Sequence, residues 1–319
     1  MSSTRFRDAL DVDVITRALE VLRSEGYEVV SLSGGEPFIF PGLNEVVAES
    51  HRLGYRVNVV TNGLSLTERR LAPIADKLNL VAVSFDGAPA AHNRLRGRPD
   101  CFARAEAAMD LLAGMGLTTA VAFCVSRESL PEVPWVYDFT VEKRAKVLNL
   151  HPLVLTGRAE STCSDIALSE SDRARLFLVV TLLEDGASCG PDIQLDLIPV
   201  QSLEGARGEY ARLADERTSA ALLSDLVNPL IITERGRLVP FAYGLNPLYE
   251  IARLDGDWVA GLDTFREQGR QRLASIVFRA FDEIRQSGTQ YVEWYENLVA
   301  ASYRSEPSSD WAPSNSLNI

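Results

Sequence analysis

Cysteine is scarce in this chain and badly spaced for chemistry. There are four, Cys101, Cys124, Cys163 and Cys189, and no two stand at metal-ligand spacing. So few, so scattered, they build no disulfide framework; reduced thiols in a cytoplasm are expected. No run approaches the roughly 18 apolar residues of a membrane span. The N-terminus carries no apolar segment of the kind a secretory signal needs. Basic residues are outnumbered, 32 Lys and Arg against 44 Asp and Glu, for a net charge of −12. Nucleic acid is therefore excluded as a general partner, because phosphate binding needs a basic face. The phosphate loop GxxxxGK[ST] is missing as well.

What is present is an ordinary globular composition: 319 residues, 46% apolar and 24% charged. That length suffices for one large α/β domain or a domain with an appendage. Residues 10–160 alternate amphipathic and apolar patterns. Helices are predicted near 11–25, 42–53, 66–77, 100–115 and 129–143, and strands near 28–33, 55–61, 79–85, 117–125 and 146–152. The strand segments are apolar throughout, as when helices cover a parallel sheet. After residue 160 the pattern changes to a helix from Ser169, an alternating strand at 193–198, a hairpin over 230–241 and helices after Trp258. Residues 305–319 are rich in Ser, Pro and Asn and are expected to be disordered. The predicted division is a core over 1–160, an extension over 161–304 and a tail.

Polar groups gather where the apolar strands end. Val29-Val30-Ser31-Leu32 runs into Ser33-Gly34-Gly35-Glu36-Pro37. The second strand runs into Thr61-Asn62-Gly63. The third runs into Ser84-Phe85-Asp86-Gly87, followed by His92 and Arg94-Leu95-Arg96-Gly97. The fourth ends beside Ser126, and the fifth at His151-Pro152-Leu153, shortly before Gly157-Arg158-Ala159. The C-terminal ends of parallel strands are where α/β folds bind small molecules. Glycines at such an end allow positive φ and close approach to a ligand. Ser84 and Asp86, two apart on a strand, point to one side. Plain alternatives exist for each: a tight turn at 33–37, a capping Asp at 86, a solvated loop holding His92 and Arg96, a common polar strand end at Ser126. Leu32-Ser33-Gly34-Gly35-Glu36 is similar to the ABC ATPase signature, but without a phosphate loop that reading fails.

Taken in order, SGGEP, TNG, SxDG, HxxxRG and HPL…GRA resemble the radical S-adenosylmethionine enzymes, in the branch that matures peptides. The resemblance covers about residues 10–160 and extends loosely to about 255. It implies a partial parallel (βα)6 barrel followed by a C-terminal α/β extension. It implies S-adenosylmethionine bound at the strand ends. Ser33, Gly34, Gly35, Glu36 and Pro37 would meet its ammonium group, and Asn62 would line the cavity. Ser84 and Asp86 would take the ribose hydroxyls and Arg96 the carboxylate. Ser126 would line the cavity, and the backbone of His151 and Leu153 would meet adenine. A [4Fe–4S] cluster would cleave S-adenosylmethionine to a 5′-deoxyadenosyl radical, acting on a peptide or small natural-product precursor. The cofactors then carry the chemistry, and no side chain is singled out as a conventional acid or base.

The departure from that pattern is equally plain. The resemblance places a CxxxCxxC cluster loop before the first predicted helix, yet the sequence as given is in that helix by about Asp11 and holds no such loop. The expectation is a first strand and cluster loop missing from the chain as written. Either its start is misplaced, or it is a cluster-less relative that binds S-adenosylmethionine or a peptide beside a partner polypeptide. Pro240-Phe241 stands where relatives often carry Pro-Cys, so no auxiliary-cluster ligand is expected there.

Overall fold

The computed structural model describes residues 10–154, 164–186, 190–215 and 221–304. Six parallel strands form one curled sheet in chain order: β1 (Val29–Leu32), β2 (Arg56–Thr61), β3 (Leu80–Phe85), β4 (Thr119–Val125), β5 (Val147–Pro152) and β6 (Asp192–Leu195). Helices cross over between them: α1 (Val12–Ser24) before β1, then α2 (Leu43–Arg52), the single turn α3 (Glu68–Leu71), α4 (Pro89–Arg96), α5 (Cys101–Gly114), α6 (Val133–Glu142) and α7 (Glu170–Gly186). The alternation predicted the parallel sheet, and the resemblance its curl into a partial barrel. The element over 193–198 supplies its sixth described strand, β6, pairing Leu148 with Ile193 and Asn149 with Gln194. So the sheet continues past residue 160, where the sequence pattern changes.

Period two sorts every central strand into two faces. Outward, Val57, Val59, Val81, Val83, Phe85, Val121, Phe123, Val125, Leu148 and Leu150 are fully buried. They pack under Val46 and Val47 of α2, Ala105, Met109 and Leu112 of α5, and Val133, Val136 and Phe139 of α6. Phe85 anchors this layer, its ring 5.4 Å from Phe102 and 5.1 Å from Phe139. Inward the residues are alanines, polar groups and a few larger aliphatics. Ala82, Ala120 and Ala122 form the floor, flanked by Val60, Leu80 and Val147. The short side chains at the centre of the concave side are themselves buried.

The extension wraps back onto the start of the core. It contains β7 (Ile198–Pro199), α8 (Val200–Tyr210), the turn α9 (Leu223–Leu226), the hairpin β8 (Leu230–Ile232) and β9 (Arg237–Pro240), β10 (Ala252–Arg253), α10 (Trp258–Thr264), α11 (Arg270–Ser287), β11 (Tyr291–Val292) and α12 (Trp294–Arg304). The hairpin lies as predicted, with Ile231 opposite Val239. A π turn over Phe265–Gly269 joins α10 to α11, where the sequence suggested a break near Gly269. Helix α1 is shared: Leu19 packs into the first core, Ala18 and Leu22 into the second. Its end is bolted down by Glu25. The Glu25 carboxylate pairs with Arg266 and accepts the Leu223 N–H at 3.0 Å, and the Glu25 carbonyl accepts the Ser224 N–H at 3.1 Å.

Among the described residues no helix is long and apolar enough to cross a membrane. The Arg266–Glu25 pair is 16% exposed on both sides, so removing one partner strands a charge away from water. Arg266→Ala is expected to cost about 3 kcal/mol, measured as a lower urea midpoint; an unchanged midpoint would show that the bolt carries no stability.

Candidate ligand site at the strand ends

Strand β1 delivers Ser33 and Gly34 to the mouth of the half barrel, with Gly34 at φ +105° and nothing within 4 Å of where a side chain would start. The Gly34 backbone thus faces open space. Glu36 follows as the cap of a short 3-10 turn, Pro37–Ile39, and Pro37 at its first position fixes φ for the turn. Its carboxylate is 8% exposed and fully engaged. Oε1 accepts from Thr61 Oγ1 at 2.6 Å and from the Phe38 N–H at 3.2 Å. Oε2 accepts the Asn62 N–H at 2.8 Å. Glu36 therefore ties the end of β1 to the end of β2, whereas its residue type alone suggested direct contact with a cation.

Asn62 spends its side chain on the same turn, Oδ1 accepting the Leu64 N–H at 2.8 Å. Gly63 after it sits at φ +75°, and a Cβ there would lie 2.9 Å from the Cα of Ala105. Only glycine lets α5 pack so close to this strand end.

Asp86, His92 and Arg96 converge at the end of β3. The sequence suggested a loop for His92 and Arg96; they lie on helix α4. Pro89 opens that helix and Gly97, at φ +69°, closes it. A spacing of four then puts both side chains on one face. Arg96 Nε pairs with Asp86 Oδ2, both side chains about four-fifths buried. His92 is 1% exposed, packed on Phe85 and Phe102. Its Nδ1 accepts the Asp86 N–H at 3.0 Å, so the ring is neutral and carries its proton on Nε2. Burial holds its pKa below the usual range, with Arg96 adding to the effect and Asp86 opposing it. Ser84, on the inner face of β3, has no hydrogen-bond partner for its hydroxyl among the described residues.

At β4, Ser126 is buried and used locally. Its Oγ accepts the Ser129 N–H at 3.2 Å and its own N–H donates to Ser129 Oγ at 2.8 Å, a reciprocal box that leads into α6. At β5, Leu153 donates its N–H to the Val125 carbonyl at 2.8 Å, which binds two strand ends together. His151 is half exposed, with Nδ1 2.5 Å from Asp196 Oδ2. Gly157-Arg158-Ala159, Cys163, Cys189 and residues 305–319 lie outside the described residues.

Sequence reasoning missed the acidic group behind β6. Glu293, 6% exposed at the start of α12, accepts the Glu296 N–H. Burial, with Glu296 and Asp196 nearby, pushes its pKa up to about 7. A helix-capping Glu looks routine in sequence; only the fold places it near Asp196.

The donor sets differ in what they can hold. Open glycine backbone, an unpaired hydroxyl, a carboxylate and a guanidinium, all at one mouth above an alanine floor, suit a ligand with ammonium, hydroxyl and carboxylate groups. For an iron–sulfur cluster the fit is absent: no group of three His, Cys, Asp or Glu able to hold a metal occurs among the described residues. Cys101 is buried at the start of α5 and Cys124 is half buried on β4.

Comparison with known proteins follows the same line. Residues 2–139 match the Radical SAM superfamily. An Fe-coproporphyrin III synthase of Methanosarcina barkeri is 27% identical over 172 residues, 53% of this chain and 43% of that one. A PqqA peptide cyclase of Gluconobacter oxydans is 33% identical over 136 residues, 42% of this chain and 38% of that one. The matched stretches thus span less than half the length of either relative. Among solved structures, anSMEcpe with bound AdoMet and the Cp18Cys peptide superposes with a TM-score of 0.58 at 17% identity, covering 83% of this chain and 76% of that one.

Glu293 makes a signed prediction. Its folded pKa is raised from 4.5 to about 7. Its contribution to stability is then fully present below about 4.5 and lost as pH rises through about 7. Going from pH 5 to pH 8, Glu293→Gln should gain about 2–3 kcal/mol relative to the unsubstituted chain in urea titrations. Parallel pH profiles for the two proteins would refute it. The match over residues 2–139 falls on most of the partial barrel with this polar mouth, and over that stretch the chain is similar to the Radical SAM superfamily.

Proposed function

We propose that the chain binds S-adenosylmethionine at the mouth of its half barrel, as part of a radical SAM enzyme that modifies a peptide. The observation that carries this reading is the Asp86–Arg96 pair beside Ser84, set by His92 at the end of β3. Arg96 offers a planar guanidinium to the ligand's carboxylate. Ser84 and Asp86 offer acceptors to ribose hydroxyls. The backbone carbonyls of Ser33, Gly34 and Gly35 face the ammonium, with Pro37 stiffening the turn behind them. Glu36 and Asn62 hold the two glycine turns in place and act as positioning residues. Ser126 and Leu153 set the ends of β4 and β5, and His151 stands at the adenine side.

A peptide is favoured as substrate by two relatives, the PqqA peptide cyclase and the peptide-bound anSMEcpe. The family also implies a [4Fe–4S] cluster. The described residues supply no thiolate set for it, so this chain's residues are assigned to binding and orientation alone.

Isothermal titration with S-adenosylmethionine tests the site. Arg96→Ala and Asp86→Asn should each weaken binding at least about tenfold, the loss of one charge-assisted contact. Glu36→Gln should also weaken it, because the amide cannot accept from all three donors that the carboxylate serves. Unchanged affinity in Arg96→Ala and Asp86→Asn, with folding verified by circular dichroism, would overturn the assignment.

A further inference from the structure

Among the described residues three buried side-chain atoms lack a hydrogen-bond partner: Arg173 Nε, Glu250 Oε1 and Asn149 Oδ1. The first two belong to groups compensated through other atoms. Arg173 pairs with Glu296 at 3.7 Å, and Glu250 accepts from Arg237 at 2.7 Å. Asn149 is different, for its side chain makes no hydrogen bond at all among the described residues.

Its position explains why. Asn149 alternates with the buried Leu148 and Leu150, so it faces the concave side of the sheet. Its register partner on β4 is Ala122, which has no polar side-chain atom. Its partner on β6 is Gln194, whose amide could donate to it. Gln194 Nε2 turns away instead and donates to Asp192 Oδ2 at 3.3 Å. One rung nearer the mouth stand Cys124, His151 and Asp196, the last two paired with each other. The carbonyl of Asn149 is thus walled off from water and left without a donor by every neighbour on its rung. A buried acceptor in that state destabilises the protein unless something else supplies the proton.

We propose that the Asn149 side-chain carbonyl is reserved for an N–H donor of the molecule that fills the half barrel. The proposal rests on the reading of the concave face as a ligand site. The shared chemistry is a planar nitrogen donor, and two sources present it: the exocyclic amine of adenine in S-adenosylmethionine, and an amide of the peptide substrate. Asn149 then belongs to recognition, and its cost in the empty protein is the trace of that role.

Thermal unfolding of the full chain tests this, with and without S-adenosylmethionine, for the unsubstituted protein, Asn149→Leu and Ala122→Ser. Asn149→Leu deletes the orphaned acceptor, and Ala122→Ser places a hydroxyl donor beside it. Without ligand, each variant should melt about 2–4 °C higher. That comparison holds whether or not S-adenosylmethionine binds. Absence of any ligand-induced shift in the unsubstituted chain would sink the proposed function alone. Where the unsubstituted chain is stabilised by S-adenosylmethionine and both variants lose that shift, the donor is the adenine amine. Where the variants keep it, the donor is on the peptide. If neither variant melts above the unsubstituted chain without ligand, the carbonyl carries no reserved cost and the proposal falls.

Discussion

A parallel sheet can leave neither face bare without cost, and in this protein the two faces meet that constraint differently. The convex face is covered by helices over an unbroken layer of Val, Leu and Phe. Burial there carries the stability of the core, at about 25 cal/mol for each Å² of apolar surface removed from water. The concave face has alanines at its centre and polar groups toward the strand ends. Its alanines are themselves buried but bring little apolar area, so what it offers another molecule is the polar groups toward the strand ends. Everything distinctive about the site follows from this asymmetry: the open turn at Gly34, the paired Asp86 and Arg96, the unpartnered Asn149.

The mouth is held by contacts between neighbouring strand ends. Glu36 joins β1 to β2, and the Leu153 N–H joins β5 to β4. His92 fixes the backbone of Asp86 at the end of β3. Each is made by a group buried well enough that water competes weakly for it. Loops held in this way can keep ligand-facing atoms in place before a ligand arrives, which lowers the ordering cost of binding. The extension contributes from behind. It buries the second side of α1 and bolts that helix's end through Glu25 and Arg266, so the element leading into the glycine turn has little freedom to shift.

Much of the architecture was legible because it is periodic. Apolar runs marked the first five core strands, and amphipathic spacing marked α1, α2, α5 and α6. The hairpin after Leu230 and the disturbance near Gly269 were visible too. Helix α4 was not, since its eight residues are mostly polar and a proline opens it, which reads locally as a loop. The strand at 193–198 was visible as a strand, but its partner was not, because pairing is decided between segments more than forty residues apart. That Asp86 and Arg96 stand near the end of β3 was readable from motif order. The engagement of Glu36 by Thr61, Phe38 and Asn62 was not, because a carboxylate's partners are chosen by how two strand ends meet.

The sequence by itself determined which segments are strands and helices, that helices cover the sheet, and which polar residues stand at strand ends. Those properties depend on composition and spacing along a few residues, where propensity and burial act locally. The tertiary structure decided which strands pair, which carboxylate braces a loop and which faces the cavity, and that Asn149 lacks a donor while Glu293 lies near Asp196. These depend on register across the curled sheet and on the packing of the extension, where a single neighbour such as Ala122 or Gln194 determines whether a polar atom is satisfied.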